Sequence, residues 1–148
     1  MSTRDDLPYA VTLHVRDTCL CLHLQRATRV VARRFDEALR HLDLTNGQFS
    51  LLMSLNRPEP ARMRKVATLL AMDRTTLTAN LKPLERRGLL KIAVDPEDNR
   101  SRLLTLTARG RALLASAIPI WKQTHAELDR LLTDPNADVL RAGLIALS

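Results

Sequence analysis

From about Thr12 to Leu42 apolar residues recur every three or four positions. Leu20, Leu24, Ala27, Val31, Phe35, Ala38 and Leu42 form one stripe, with Arg26, Arg29, Arg33, Arg34, Asp36, Glu37 and Arg40 between them. This spacing predicts one long amphipathic helix, whose apolar face suits either its own core or a partner helix from a second subunit. Thr45 and Gln48 make a T-x-x-Q capping box ahead of Phe49, Leu51, Leu52 and Leu55, so a short helix should run to about Asn56. Pro58 and Pro60 then end it and form a rigid link.

The next apolar set, Val66, Leu69 and Leu70, points to a short helix over Met63–Ala71, with Met72 in the turn that follows. Asp73 is a good N-cap for a second helix, with Thr76 in its first turn and Gly88 at its end. Leu77, Leu81 and Leu84 share one face of that helix. Arg74, Thr75, Thr78 and Lys82 lie on others.

The period then changes to two. Leu90, Ile92 and Val94 alternate with Lys91 and Ala93, and Leu104 and Leu106 with Leu103 and Thr105, which predicts a hairpin with a charged tip, Asp95 to Ser101. Thr107 should cap a second long helix to about Leu132, bent at Pro119. Thr133 or Asp134 should cap a last one, with Pro135 near its first turn.

Charge changes this picture. Arg62–Arg111 holds 12 Lys/Arg and 5 Asp/Glu, or +7; the rest holds 11 of each sign, so this segment supplies the whole net charge of +7. A polyanion is drawn to it and is indifferent to the rest. Aromatics are only 3% of the chain, which argues against single-strand binding by base stacking. No apolar run reaches the length of a membrane span, and Met1–Asp6 is polar and acidic with no signal-peptide pattern. A cytoplasmic protein with no membrane partner is expected. Two cysteines do not make a secreted disulfide framework.

A short helix, a tight turn and a second helix that opens on small hydroxyl and basic residues is the helix–turn–helix pattern. Side chains near the start of a helix that enters the major groove must be short or flexible, and able to hydrogen-bond. Thr75, Thr76 and Thr78 fit, and their methyl groups can touch thymine. Arg74 can reach guanine or a phosphate, while Lys82, Arg86 and Arg87 can neutralise flanking phosphates. Arg100 and Arg102 stand at or beside the hairpin tip, from which arginine can enter a minor groove. The alternative is a surface helix with solvated charges and a hairpin without function.

These residues resemble the MarR family of bacterial winged helix–turn–helix regulators. The likeness runs from about Cys19 to Leu147. It is most specific in the D-x-T-x-x-T-x-x-L-x-x-L-E-x-x-G-L run, Asp73 to Leu89, and in the wing D-P-x-D-x-R followed by L-T-x-x-G, Asp95 to Gly110. The resemblance implies a mostly α fold with a small β wing. A DNA-binding core would span residues 45–106, and residues 1–44 and 107–148 would supply the helices of a homodimer. It places Arg100 in the minor groove, Asp98 as the carboxylate that orients it, and Thr75, Thr76 and Thr78 in the major-groove segment. Two departures stand out. Ala79 replaces an arginine that many members carry, for which Asn80 or Arg74 is a candidate substitute, because Asn pairs with adenine in bidentate fashion. Pro83 lies within the reading helix, where it removes a hydrogen bond and should kink the helix. Two copies related by a twofold axis would read an inverted repeat with half-sites roughly 34 Å apart.

Family members commonly release DNA when a small aromatic molecule binds, and others when an N-terminal cysteine is oxidised. Trp121 and His125, four apart, are candidates to line an aromatic pocket, or else ordinary core or interface. Cys19, Cys21 and His23 form a C-x-C-x-H run. In one continuous helix Cys19 and Cys21 point about 200° apart, while Cys19 and His23 share a face, where a protonated imidazole would favour the thiolate. The alternative is two small fillers and a surface histidine. Metal binding has little support, as only two ligands share a face. No cofactor, nucleophile motif, phosphate loop or paired catalytic carboxylate is evident, so the expected function is not enzymatic. A homodimeric repressor that binds a pseudopalindromic operator in double-stranded DNA, and is released by a small aromatic effector or by cysteine oxidation, is expected. The alternatives are a non-specific architectural DNA binder and a winged-helix protein adaptor.

Overall fold

The structure is a computed structural model that describes residues 7–148, so the polar start Met1–Asp6 lies outside the described residues. The chain forms two compact units, residues 1–34 and 35–148.

In the first unit the single long helix expected from the apolar stripe is two. Helix α1 spans Tyr9–Thr18 and α2 spans Leu20–Leu39, and Cys19 between them is extended (φ −68°, ψ 109°). The Thr18 hydroxyl donates to the His14 carbonyl at 2.7 Å, a back-bond that bends helices. The Cys19 thiol accepts from the Leu22 N–H at 3.5 Å, in the manner of an N-cap. Periodicity does not show this break, because the apolar stripe crosses it without changing phase. Helix α1 buries none of its residues, and Leu7, Tyr9, Val11 and Val15 are exposed.

The second unit holds the core. Phe35 and Leu39 at the end of α2 are buried, and a 3₁₀ turn, Arg40–Leu42, ends the helix. Helix α3 (Asn46–Ser54) starts with the expected capping box. Gln48 N–H donates to Thr45 Oγ1 at 3.2 Å, and Thr45 N–H donates to Gln48 Oε1 at 3.0 Å. After the prolines a two-residue strand, β1 (Ala61–Arg62), precedes α4 (Met63–Leu69). Met63 and Val66 are buried, but Leu69, one of the apolar set that marks this helix, steps off that face and is exposed.

Helix α5 (Arg74–Arg86) buries Leu77, Leu81 and Leu84, as its spacing requires. Pro83 removes one hydrogen bond, yet the helix runs on to Arg86 and Arg87 N–H donates to Pro83 O at 3.2 Å. Gly88, at φ 73°, closes a Schellman turn: Gly88 N–H meets Glu85 O and Leu89 N–H meets Leu84 O. The same two-bond pattern ends α4, with Ala71 N–H on Thr68 O and Met72 N–H on Ala67 O. There the left-handed position is Ala71, at φ 52°.

Strands β2 (Leu90–Asp95) and β3 (Asp98–Leu106) form the hairpin, and β1 adds to its other side in the antiparallel order β1-β3-β2. Leu90 opposes Leu106, and Ala61 opposes Leu104, which puts their side chains into the core. The turn is tighter than expected. Pro96 and Glu97 alone separate the strands, and Asn99, Arg100 and Ser101 bulge out of β3 between the pairs Val94–Arg102 and Asp95–Asp98.

Helix α6 (Ala108–Leu131) begins at Thr107, whose hydroxyl accepts from Gly110 N–H at 3.0 Å and donates to Gly88 O at 2.6 Å. It runs unbroken through Pro119. Helix α7 (Ala137–Ala146) is capped by Asn136, later than Thr133 or Asp134, because the Asn136 side chain takes the Val139 N–H at 2.9 Å. Pro135 therefore lies ahead of the cap.

Two substitutions test this framework. A left-handed backbone costs an alanine about 1 kcal/mol or more. Ala71→Gly should therefore raise stability to urea by about 0.5 kcal/mol, after allowance for the freer unfolded chain. A Cβ on Gly110 would lie 2.1 Å from the Leu89 carbonyl oxygen. Gly110→Ala should lower stability by about 2 kcal/mol or more in the same titration.

Candidate nucleic-acid interface

Six of the twelve basic side chains of this segment converge on one concave surface. A groove of about 940 Å³ runs between α4, the start of α5 and the hairpin, and Arg62, Arg64, Lys65, Arg74, Arg100 and Arg102 all line it. Arg62, Arg64 and Lys65 escape a reading that looks only for a reading helix and a wing. Their signal is the charge count itself, since the excess begins at Arg62.

Helix α5 is set at its N-terminus by Asp73, which accepts from the Thr76 N–H at 2.7 Å and from the Thr76 hydroxyl at 2.9 Å. These bonds, first the backbone and then the hydroxyl, hold the Asp73 carboxyl below its ordinary range. Thr76 is thus a capping partner. Thr78 donates its hydroxyl proton to Arg74 O at 2.8 Å and is half-buried. Arg74, Thr75, Thr78, Ala79 and Lys82 line a shallow hollow of about 460 Å³ along the outer face of α5. Asn80 lies off this stripe, its amide 3.8 Å from the Met72 sulfur.

Arg74 also bridges to the wing. Its Nη2 donates to the Arg100 carbonyl at 3.3 Å, which ties the first turn of the helix to the bulge of β3. The bulge presents the Arg100 side chain, 94% exposed, with its Nε 3.6 Å from Asp98 Oδ1. Asp98 also accepts the Arg100 N–H at 3.0 Å, so one carboxylate holds both the backbone and the head group. Arg102 turns back instead, donating to the Asn99 and Ser101 carbonyls at 3.0 and 3.2 Å, and so braces the tip. Asp95, buried at the turn, accepts from Glu97 N–H and lies 4.0 Å from Arg62 Nε, while Glu97 is 3.8 Å from Arg62 Nη2. Arg87 is occupied elsewhere, donating to Asp43 O at 2.7 Å.

A short first helix, a left-handed turn, a capped second helix and an arginine-tipped wing make a winged helix–turn–helix. The MarR family model matches residues 44–101. The organic hydroperoxide resistance transcriptional regulator of Bacillus subtilis is 33% identical over 101 residues, or 68% of this chain and 69% of that protein. The chain belongs to the MarR family. Among solved structures, the Mycobacterium tuberculosis regulator MosR in complex with DNA superposes with a TM-score of 0.80 at 34% identity, over 87% of this chain and 92% of that one. The repressor CouR bound to a 23-mer DNA duplex gives 0.79 at 34% identity, over 90% and 94%. CouR bound to p-coumaroyl-CoA gives 0.78 at 30% identity, with the same coverage. This MarR-family chain is therefore a DNA-binding transcriptional regulator and not an enzyme.

The other candidate residues are not among those that line the groove. Trp121 stacks on Phe49 at 6.4 Å between ring centres, inclined by 19°, and His125 lies 4.9 Å from Trp121 and 3.4 Å from Asp129. This joins α3 to α6. In the first unit, the thiol–imidazole pairing expected of a continuous helix does not form. With Cys19 extended, His23 Nδ1 lies 2.8 Å from the Cys19 carbonyl oxygen, and Gln25 donates to the Cys21 sulfur at 3.4 Å. Cys19 is half-buried and Cys21 exposed, both as free thiols. Among the described residues no helix is long and apolar enough to cross a membrane, and no cluster of three or more His, Cys, Asp or Glu is placed to hold a metal.

The cap at Asp73 has a pH signature. Its folded pKa lies below the unfolded value, so it stabilises the reading helix above the ordinary carboxylate range, and this is lost as pH falls through about 4 and below. Asp73→Asn keeps a capping oxygen but no titrating group. It should lose less stability than the natural protein between about pH 5 and pH 3, measured by thermal melts.

Proposed function

We propose that this regulator is a homodimeric repressor that holds a pseudopalindromic operator, with α5 in the major groove and Arg100 in the minor groove of each half-site. The observation that carries this reading is the convergence of six basic side chains on the groove joining α4, α5 and the wing. Phosphates lining both sides of a duplex groove match that distribution. The solved complexes of MosR and CouR with DNA support it, and CouR is itself described as a repressor.

The dimer rests on unpartnered apolar surface. Val139, Leu140, Leu144, Ile145 and Leu147 of α7 and its end are exposed, and α1 separately exposes Tyr9, Val11 and Val15. A single chain gains nothing by leaving such surface in water, whereas a second copy would bury it. Release from DNA is assigned to a signal, either a small aromatic ligand or oxidation of Cys19 or Cys21. CouR bound to p-coumaroyl-CoA supports the first, and the name of the B. subtilis hydroperoxide regulator supports the second. A hydroperoxide would convert a thiolate to sulfenic acid, with loss of the alcohol.

The test is anisotropy of a labelled duplex from the region upstream of the protein's own gene, against a scrambled duplex. Preferential binding by two 16.7 kDa chains per duplex is expected. Equal affinity for both duplexes would point to an architectural binder. Loss of binding in peroxide, restored by reductant, would assign the signal to the thiols. Arg100→Ala should weaken binding and lower the slope of log K against log salt by about one. An unchanged slope would remove Arg100 from the interface.

A further inference from the structure

The outer face of α5 is short of hydrogen-bond donors at its centre. The Thr76 hydroxyl is committed to Asp73, the Thr78 hydroxyl proton to Arg74 O, and one Arg74 nitrogen to the wing. Asn80, the amide that could have paired with adenine, is turned toward Met72, off the hollow. The hollow is therefore lined by Ala79, Thr75 and Thr78 and flanked by Lys82 and Arg74, with the Thr75 hydroxyl its one hydroxyl not committed within the described residues.

The base edges of the major groove offer this surface few matches. All four bases present acceptors or amino groups there, thymine O4 included, which would lose water against Ala79 without gaining a partner. Thymine alone presents a methyl group, at C5. We infer that Ala79 is a specificity-determining residue that reads the C5-methyl of one thymine in each operator half-site. The inference rests on the proposed placement of α5 in the major groove, and it goes further in naming the base and the group recognised.

The experiment starts from duplexes selected by the intact protein from a random-sequence pool. Each thymine of the selected site is replaced singly by deoxyuridine, which removes only the C5-methyl, and affinity is measured by anisotropy. One thymine position per half-site, symmetric about the dyad, should lose about fourfold in affinity, the worth of one buried carbon. Ala79→Ser, at an exposed position on the helix surface, should bind the same duplexes with that dependence flattened to less than twofold. At the same position 5-methylcytosine should bind more tightly than cytosine. A selected consensus that tolerates every deoxyuridine would overturn the thymine assignment and leave the regulator reading intact. A dependence that persists in Ala79→Ser would move the methyl contact to another residue and overturn the role of Ala79. Selection that yields no consensus would overturn both.

Discussion

The second unit depends on one backbone junction, where the end of the reading helix, the start of the sheet and the start of α6 meet. Leu89 is its centre. Its N–H closes the Schellman turn on Leu84, and its carbonyl accepts the Thr107 N–H at 3.1 Å. Thr107 then bonds Gly88 O through its hydroxyl while capping α6. The carbonyl sits so close to Gly110 that no side chain fits between them. Two glycines serve here for different reasons, Gly88 for its left-handed backbone and Gly110 for lack of bulk. The junction links three elements within a few residues, so the tilt of α5 and the root of the wing are set together.

The wing is joined to the reading helix a second time, at the far end, by Arg74 on the Arg100 carbonyl. The apolar core between these ties, built on Leu77, Leu81, Leu84, Leu90, Leu104 and Leu106, is fully buried. Helix α5 and the wing are thus tied at both ends and share one core. The arginine at the wing's tip projects because the three bulged residues have no partners across the hairpin, and only Asp98 holds its head group.

Much of this was legible in the sequence wherever local chemistry decides. The capping box at Thr45, the cap at Asp73, the stop at Gly88 and the two-residue alternation of the hairpin are all short-range signals, and each element lies where its signal points. Strand β1 was not legible, because two residues carry no period and pair only once the distant β3 is in place. The break at Cys19 was hidden by an apolar stripe that keeps its phase across it. Side-chain commitments were also invisible. Motif position treats Thr75, Thr76 and Thr78 alike, yet the fold employs Thr76 in the cap and ties Thr78 back to its own helix. Arg100 and Arg102, two apart at the tip, part company for the same reason, one presented outward and the other folded onto the turn.

The acidic residues of the wing give the basic groove a further property. Asp95, Glu97 and Asp98 stand within 4.0 Å of Arg62 or Arg100. They act as counterions built into the chain. In the proposed complex, a phosphate approaching Arg62 or Arg100 would displace a neighbour already in place, rather than only mobile salt, so a loosely fitting polyanion would gain less from this surface than its cation count suggests. On that placement the full attraction would be felt only where the DNA shape lets both arginines change partners together. The carboxylates that dilute the charge would thereby sharpen the choice of where it binds.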